Sequence, residues 1–561
     1  MKKIHISTYL SCAFLGMAIL TSCQKYEAEP LNITKPSDVY DPLDSAGVLL
    51  QQRVNNLYST LPQGFNRLSG TLPLDAATDD AIATLPGQNT ELLSKSLLTA
   101  GVTNPDEYWK KGYAAIRNAN DYFAYENKVP AVVASTTALT IARKEQFKTE
   151  VRFIRAMQYF ELIKRYGGVP LIGNAIFDDQ HPINVPRNTY QECVDYIVSE
   201  CDALITGNNF PTGAAFVVGR VTKNAVLALK ARVLLYAASP LNNVSNDAVK
   251  WQAAADASKV LLGAITEANL YSLLEASYNN AFLVRTSKEL IFGFHLANNT
   301  SLELQLSPVG YVFPGQISTG NVSPTQDLVD AFPNLDGSAY VAGTATQNPY
   351  TNRDPRLALT VFYNGLPWLN RPVETFIGGK DNLEGQVGTT RTGYYQRKFL
   401  GNLNTALSFS AQTRTWPIFR TAGIMLDYAE AVNEAGNQND AYAVLKTIRK
   451  RAGITAGTNG MYGLAIGMNT SDMRTAIRLE RRIELAFEEQ RFWDVRRWKI
   501  GGVVANKNLT GIRIVKNPDA TLTYTRFVAD KISFSSDKYN LYPIPFNEIL
   551  ANPAVKQNVG Y

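Results

Sequence analysis

Cysteine and histidine are scarce in this chain of 561 residues, which contains four cysteines and three histidines. Cys193 and Cys201 lie in a segment with helical periodicity, about 12 Å apart at a rise of 1.5 Å per residue. This separation is too large for a disulfide, so we expect both to be small core residues. His181 and His295 are far apart in sequence, which disfavours a histidine-rich metal site and histidine-centred catalysis. We predict neither a metal site nor a cofactor.

Long apolar runs and a strong excess of one charge are also missing. After residue 22, no clean apolar segment approaches the roughly 20 residues needed to cross a bilayer, so we expect a soluble body. The 55 basic and 49 acidic residues are interspersed and give a formal net charge of +6. The chain therefore lacks the basic footprint of a nucleic-acid-binding protein, and we predict no nucleic-acid partner.

The first residues combine two lysines with a short apolar run that ends at Leu20, the pattern of a secretory signal peptide. Leu20-Thr21-Ser22-Cys23 resembles the bacterial lipobox, in which the cysteine is linked to diacylglycerol and becomes the new N-terminus. We therefore predict a signal peptide over residues 1–22, lipidation of Cys23 as a membrane anchor, and a flexible tether over residues 23–38. A secreted protein with a chance cysteine is the alternative.

Apolar periodicity predicts a mainly helical body. Residues 150–166 are apolar on most sides, so we expect a helix that is buried among others and ends at Gly167-Gly168. Two pairs of helices are predicted at 221–238 with 248–262, and at 422–435 with 441–451. A polar turn joins the members of each pair, as in a helical hairpin. Such pairs stack in helical repeat proteins, although no strict repeat period is present.

Between these helical blocks, from about residue 266 to residue 414, Gly, Asn, Thr and aromatic residues replace the long apolar periodicities. We predict long irregular loops and a few short strands above a helical platform formed by residues 39–265 and 415–561. Binding residues concentrate in loops that a rigid scaffold holds in place. The sequence thus predicts a mainly α fold with a loop-rich ligand-binding region.

The strongest helical pattern covers residues 471–498. One face is apolar, and the adjacent ridge carries Glu480, Glu484 and Glu488 at intervals of four residues. Like charges at this spacing repel, so we expect arginines of this helix or of a neighbouring helix to compensate them. A carboxylate row can also serve catalysis or metal binding, but we favour a buried arginine–glutamate network.

Several segments, taken in their order along the chain, resemble the SusD/RagB family of outer-membrane nutrient-binding lipoproteins of the Bacteroidota. The segment Arg481-Arg482-Ile483-Glu484-Leu485-Ala486-Phe487-Glu488, followed by Arg491-Phe492-Trp493-Asp494, looks like the most typical part of that family. Other matching segments are Tyr166-Gly167-Gly168-Val169-Pro170, Gly219-Arg220-Val221-Thr222-Lys223, Arg353-Asp354-Pro355-Arg356-Leu357, Tyr428-Ala429-Glu430-Ala431-Val432-Asn433-Glu434 and Tyr542-Pro543-Ile544-Pro545. With the lipobox, the likeness extends from residue 1 to residue 561.

This resemblance implies a mostly α-helical fold in which tetratricopeptide-like helix pairs support an irregular ligand-binding region. It also implies a nutrient-binding lipoprotein rather than an enzyme, anchored in the outer membrane and facing the cell exterior. The implied partner is a SusC-like TonB-dependent transporter. The implied ligand is an oligosaccharide, with peptides bound in one branch of the family.

A sugar-binding site needs aromatic platforms for the sugar ring faces and a few fixed hydrogen-bonding groups. The candidates are Trp368 with Tyr363 and Asn364, then Tyr311 with Phe313, and finally Asp79 with Asp80. Trp368 is the first choice because Gly and Pro residues fix an exposed turn around a large aromatic side chain. At each position, packing of a loop onto the platform is the alternative.

Two other functions are compatible with these residues. A surface glycoside hydrolase would present two carboxylates across a cleft, but the sequence has no recognisable catalytic motif and we nominate no catalytic residue. A structural subunit of a transporter complex would bind no ligand by itself. Trp109, Trp493 and Trp498 belong to helical patterns, and we expect them in the core.

Overall fold

The computed structural model describes residues 39–561 except residues 66, 69–71, 178–182, 212–216, 314–315, 383–386 and 402–411. The predicted signal peptide, the lipidation site Cys23, the tether and His181 lie outside the described residues. The described part is mostly helical with a few short strands, as predicted. No helix in that part is long and apolar enough to cross a membrane.

The helices fall into three groups along the chain. The first group consists of α1 Val48–Tyr58, α2 Thr90–Ser94, α3 Trp109–Tyr125, α4 Ile141–Tyr166, α5 Tyr190–Gly207, α6 Lys223–Ala238 and α7 Ala248–Leu262. Short helices form the second group, α8 Glu267–Ser272, α9 Asn280–Leu283, α10 Ser301–Leu306, α11 Gln326–Ala331 and α12 Pro355–Thr360. The third group consists of α13 Thr421–Glu434, α14 Gln438–Ala452, α15 Thr470–Glu484, α16 Gln490–Arg497, α17 Gly501–Val504 and α18 Phe546–Ala551.

The strands of the described residues form antiparallel pairs. The strands are β1 Ala81–Ala83, β2 Leu290–Asn299, β3 Val312–Phe313, β4 Gln316–Ile317, β5 Val322–Pro324, β6 Val361–Phe362, β7 Pro367–Trp368, β8 Arg371–Pro372, β9 Tyr395–Gln396, β10 Gln412–Arg420, β11 Asn508–Lys516 and β12 Leu522–Lys531. The pairs are β1 with β5, β2 with β10, β3 with β4, β6 with β9, β7 with β8, and β11 with β12.

A row of long helices forms the platform. Helices α3 to α7 pack one against the next, and α7 then packs against α13, which contacts α14 and α15. The row therefore continues directly across the loop-rich insertion. Strands β2 and β10 pair from Leu290 with Arg420 to Asn299 with Gln412, and so join the start and the end of that insertion.

Helix α4 shows how the sequence builds the core of the platform. The helix begins after Thr140, whose side chain accepts the Arg143 N–H. The helix ends at Gly167, which has a positive φ of 74°. Phe153 and Ile163 are fully buried. Because apolar residues lie on most sides of the helix, neighbouring elements surround it. The predicted burial of this helix is confirmed.

The predicted helix pairs are present, and their bounds differ only slightly from the prediction. Helix α7 has the predicted bounds, whereas α6 begins two residues later and α14 is longer at its start. Cys193 and Cys201 are free and buried on α5, which confirms that they are core residues. Trp109, Trp493 and Trp498 are buried as well.

The prediction of one long C-terminal helix over residues 471–498 is wrong in one respect, because the helix is broken between α15 and α16. Phe487 and Glu489 in the break have positive φ angles of 60° and 61°, which a helix does not allow. Buried Asp75 stabilises this turn by accepting the N–H of Phe487 and the N–H of Glu489, each at 3.0 Å. The cause of the break lies in a distant segment that periodicity does not reveal.

The predicted helical block from residue 415 onward also contains a long β-hairpin, β11–β12, which the sequence analysis missed. A small cluster of Ile82, Leu509 and Ile532 attaches the base of this hairpin to β1. One alternating set of its side chains is buried and includes Ile512 and Ile514. The hairpin therefore lies against the body and leaves its other face outward.

Candidate functional site

The carboxylate row of the C-terminal motif is buried in an ion-pair network. Glu480 lies 2.7 Å from Arg356 and 2.8 Å from Arg449. Glu484 contacts Arg356 at 2.9 Å and also pairs with Arg420 and Arg451. The predicted arginine–glutamate network is confirmed, with arginines supplied by α12, α14 and β10.

The electrostatics of this network favour ionised carboxylates. Burial alone would raise the pKa of Glu484, but Arg451, Arg420 and Arg356 hold it well below its usual range. For the lysine of this network burial acts in the other direction, and it lowers the pKa of Lys398 to about 8 although this lysine pairs with Glu488 at 2.6 Å. Carboxylates held ionised by buried arginines form a structural centre and are poor proton donors.

Asp79 and Asp80 belong to a second buried ion-pair cluster. Asp79 accepts two hydrogen bonds from Arg491 at 2.9 and 2.8 Å, and Asp80 accepts one from Arg482 at 2.6 Å. Both aspartates are at most 1 % exposed. These contacts fasten the segment of Asp79 and Asp80 to α15 and α16. Their role in sugar binding has no support from this geometry.

Trp368 is also buried, with 1 % of its surface exposed, so the expectation that this turn exposes the tryptophan is wrong. Its ring centroid lies 4.7 Å from that of Tyr311 and 4.7 Å from that of Phe362. Its indole N–H donates to the carbonyl oxygen of Gly401 at 3.2 Å. Because neighbouring rings cover it, Trp368 packs the loops together in this conformation and offers no open face to a sugar.

Tyr311 belongs to the same packed cluster. It is 5 % exposed, and its hydroxyl donates to the carbonyl oxygen of Arg371 at 3.0 Å. The guanidinium of Arg371 lies 3.8 Å from the Tyr311 ring centroid and binds Asp381 at 2.7 and 2.8 Å. The backbone of Phe313 pairs with Gln316 in the β3–β4 hairpin, but its side chain lies outside the described part.

Tyr363, another predicted candidate, is half-buried. Its ring stacks on Tyr350, with 4.2 Å between centroids and 20° between planes. Neighbouring Asn364 is buried, and its side-chain oxygen accepts the N–H groups of Thr375 and Phe376. Asn364 therefore orders a loop, whereas part of the Tyr363 side chain remains accessible.

An open cleft of about 470 Å³ lies between the outer face of the β11–β12 hairpin and residues 377–382 and 390–393. It is lined by Ile377, Asn382, Thr390, Gly393, Ile512, Arg513 and Phe527. Phe527 is 38 % exposed and Arg513 is exposed, so an aromatic ring and a positive charge face solvent together. We refer to these seven residues as the hairpin cleft.

Sequence reasoning missed this cleft because the hairpin was included in the helical block. A signal was present, since the strands show period-two alternation on either side of Asn517-Pro518-Asp519-Ala520, a turn-forming segment. The contacts of Ile377 and Thr392 with the hairpin have no comparable local signal. In the part of the chain that is described, no group of three or more His, Cys, Asp or Glu side chains is arranged to hold a metal ion.

Two family models match the chain. A model described as the SusD family matches residues 288–561, and a model described as starch-binding associating with the outer membrane matches residues 38–235. Among curated proteins, the SusD-like protein P2 of Formosa agariphila is 25% identical and covers 97% of each chain. The SusD-like protein P38 of the same bacterium is 22% identical over 100% of each chain.

Solved structures of similar proteins have the same fold. A SusD-like protein from Bacteroides fragilis is 25% identical, covers 94% of this chain and 100% of its own, and superposes with a TM-score of 0.76. A SusD-like carbohydrate-binding protein, also from Bacteroides fragilis, is 22% identical, covers 91% of this chain and 99% of its own, and has a TM-score of 0.71.

Proposed function

This chain belongs to the SusD family, and we propose that it captures an oligosaccharide outside the outer membrane and delivers it to a SusC-like TonB-dependent transporter. The observation that carries the proposal is the match of family models to residues 38–235 and 288–561. The description of one model names starch binding, and one solved relative is named as carbohydrate-binding. Lipidation of Cys23 would hold this protein beside its transporter.

Capture without turnover is supported by the state of the conspicuous carboxylates. A glycoside hydrolase needs a carboxylic acid with a raised pKa and a second carboxylate, both open to the substrate. Glu480, Glu484 and Glu488 are buried, and despite that burial their arginine and lysine partners keep each pKa below its ordinary value. These groups are therefore unsuited to act as the general acid.

A binding experiment with the full-length protein in detergent separates the alternatives. Neutral starch-type, galactan and mannan oligosaccharides are titrated by calorimetry, and the mixtures are then analysed chromatographically for cleavage products. We expect saturable binding and unchanged oligosaccharides. Released products would favour the hydrolase. Absence of binding to any oligosaccharide, with binding of a peptide library, would favour a peptide ligand.

The transporter partner requires a separate experiment. Tagged full-length protein is extracted from its native outer membrane in mild detergent, and the co-purifying proteins are identified by mass spectrometry. We expect a TonB-dependent transporter in stoichiometric amount. A Cys23→Ser control should lose membrane attachment and recover much less transporter. Recovery of the wild-type lipoprotein without any such transporter would contradict the delivery step.

Among the predicted binding residues, we propose Tyr363 as a direct contact and Trp368 and Tyr311 as residues that hold the surrounding loops. Tyr363→Ala should weaken binding of an identified oligosaccharide about tenfold, because loss of one aromatic contact costs roughly 1.5 kcal/mol. Tyr442, another half-buried tyrosine, lies on α14 and provides the control Tyr442→Ala. Equal affinity of Tyr363→Ala and wild type would remove Tyr363 from the site.

A further inference from the structure

The outer face of the β11–β12 hairpin brings two exposed side chains of different chemistry together. In the antiparallel register Arg513 lies opposite Thr525, and Gly511 lies opposite Phe527. Residues that are directly opposite share a face, and diagonal neighbours on that face are within reach of long side chains. Arg513 and Phe527 are such diagonal neighbours, whereas Ile512, which precedes Arg513 along β11, is buried.

Gly511 leaves room for the Phe527 ring. A Cβ atom at position 511 would lie 3.0 Å from Cε1 of Phe527 and 2.8 Å from Cα of Thr392. Cε1 of the ring therefore lies close to the Gly511 backbone, while 38 % of the residue stays exposed. A partly exposed aromatic ring suits contact with the apolar face of a pyranose.

Arg513 has no compensating acid. It is exposed, and within the described ranges its side chain makes no hydrogen bond or ion pair. Arg526 on the adjacent strand differs, because it binds Asp330 at 2.5 and 2.9 Å. Arg513 is also the one titratable residue among the seven that line the hairpin cleft. The cleft thus presents an unopposed positive charge.

The opposite wall of the cleft is attached to the free edge of β11. The N–H of Ile377 donates to the carbonyl oxygen of Ile514 at 2.9 Å. The N–H of Ile512 donates to the carbonyl oxygen of Thr392 at 2.8 Å. Gly393 follows with a φ of 89°, a conformation that favours glycine. These contacts hold the walls in place, and a volume of about 470 Å³ is typical of a small-ligand site.

We propose that the hairpin cleft is a binding subsite for an acidic saccharide. The sugar ring lies against Phe527, and its carboxylate or sulfate ester accepts hydrogen bonds from Arg513. The guanidinium presents two parallel donors that match either group. This proposal rests on oligosaccharide capture as the function and adds the ligand class and the residues that select it.

The test compares charged and uncharged forms of one ligand on the full-length protein in detergent. The probes are an oligogalacturonate, the galactose oligomer obtained by reducing its carboxyl groups, and a sulfated galactose oligomer. Calorimetry is performed with wild type, Arg513→Gln and Phe527→Ala. Arg285→Gln is the matched control, because Arg285 is exposed and has no ion pair in the described structure but lines a different cleft. Circular dichroism checks that each variant is folded.

We expect at least one acidic probe to bind more tightly than the reduced oligomer. Arg513→Gln should weaken that binding at least about tenfold, because a charge-assisted hydrogen bond is lost. Phe527→Ala should weaken binding of that probe as well, whereas Arg285→Gln should not. Selective binding of the oligogalacturonate identifies a uronate subsite, and selective binding of the sulfated oligomer identifies a sulfate subsite.

Three outcomes would overturn the proposal. Acidic probes that bind no better than the reduced oligomer would reject the ligand class, and unchanged affinity in Arg513→Gln would reject the site. In both cases, binding of neutral oligosaccharides would leave the capture function intact. If no oligosaccharide of either kind binds, the subsite and the capture function fall together.

Discussion

The arginines of the buried network and Arg513 of the hairpin cleft have opposite surroundings. Arg356 is fully buried and lies within 2.9 Å of Asp354, Glu480 and Glu484. Arg513 is exposed and has no carboxylate partner among the described residues. A charge removed from water must be compensated by the protein, so Arg356 has no donor to spare for a ligand. Arg513 keeps its donors available, and the comparison separates structural charge from binding charge.

The aromatic residues show the same division. Other aromatic rings pack against Trp368, which is 1 % exposed. Phe527 lies next to Gly511 and is 38 % exposed. Both lie in segments that connect or cover the helical platform. Residue type alone therefore does not distinguish a ring that packs loops from a ring that is open to a ligand.

The strongest test of the structural side is removal of the Glu484 charge. We expect Glu484→Gln to lower the free energy of unfolding by about 5 kcal/mol, at the upper end for breaking a buried ion pair. The effect is large because Arg356, Arg420 and Arg451 all lose a partner. Urea denaturation followed by circular dichroism measures the change.

Glu267→Gln is the matched control for this substitution. Glu267 is 41% exposed at its side chain and pairs with Lys446, which is 22% exposed. Loss of such a surface pair should change stability by at most about 1 kcal/mol. Equal effects of the two substitutions would remove the distinction between the buried network and surface charge.

The second prediction concerns Trp368. We expect Trp368→Ala to lower the free energy of unfolding by about 4 kcal/mol, because it opens a cavity beside Tyr311 and Phe362. Phe527→Ala removes a partly exposed ring and should cost less than about 1 kcal/mol. The same urea denaturation compares the two variants. A Trp368→Ala protein as stable as Phe527→Ala would contradict the packing role of the indole.

Acid should lower the free energy of unfolding through the buried clusters, by less than the Glu484→Gln and Trp368→Ala substitutions do. Burial would raise the pKa of Asp494, but Arg481 and Arg497 hold it at about 2, below the value near 3.9 for an unfolded chain. A depressed pKa stabilises the fold above the unfolded value, and this contribution is lost as pH falls through the folded value. Asp494 should therefore contribute on the order of 2 kcal/mol that disappears between about pH 5 and pH 2.

Urea midpoints at about pH 7, pH 5 and pH 3 measure this acid dependence. Asp75 and Asp80 act in the opposite direction, because burial raises their pKa values, and they reduce the net slope. Asp494→Asn should show a shallower loss of stability than wild type below about pH 5. Parallel pH profiles for both proteins would exclude Asp494 as a source of the acid sensitivity.

The sequence predicts the helices well because their signals are local. Apolar periodicity and polar turns lie within each segment, and α7 was predicted with its observed bounds. The break between α15 and α16 depends on Asp75, which is 412 positions before Phe487. No window around residues 471–498 contains that information. The β11–β12 hairpin is different, because its period-two alternation is a local signal that a helical prediction for residues 415–561 overlooks.

The candidate site was less predictable because exposure is a property of tertiary contacts. Trp368 is covered by Tyr311, which lies 57 positions earlier in the chain. Asp79 and Asp80 are paired with arginines more than 400 positions away. The type of each residue was compatible with sugar binding, but its neighbours came from distant segments. The hairpin cleft likewise depends on the meeting of two separate segments.

The smallest effect on stability should come from Arg513. Since the Arg513 side chain is exposed and unpaired in the described structure, Arg513→Gln breaks no side-chain hydrogen bond or ion pair and should change the free energy of unfolding by less than about 0.5 kcal/mol. Urea denaturation of Arg513→Gln and Glu484→Gln, followed side by side, measures the difference. A loss of several kcal/mol on Arg513→Gln would mean that this arginine also supports the fold, and the contrast with Arg356 would fail. An unchanged midpoint would show that the fold does not need the Arg513 guanidinium, which then stays available to bind a ligand.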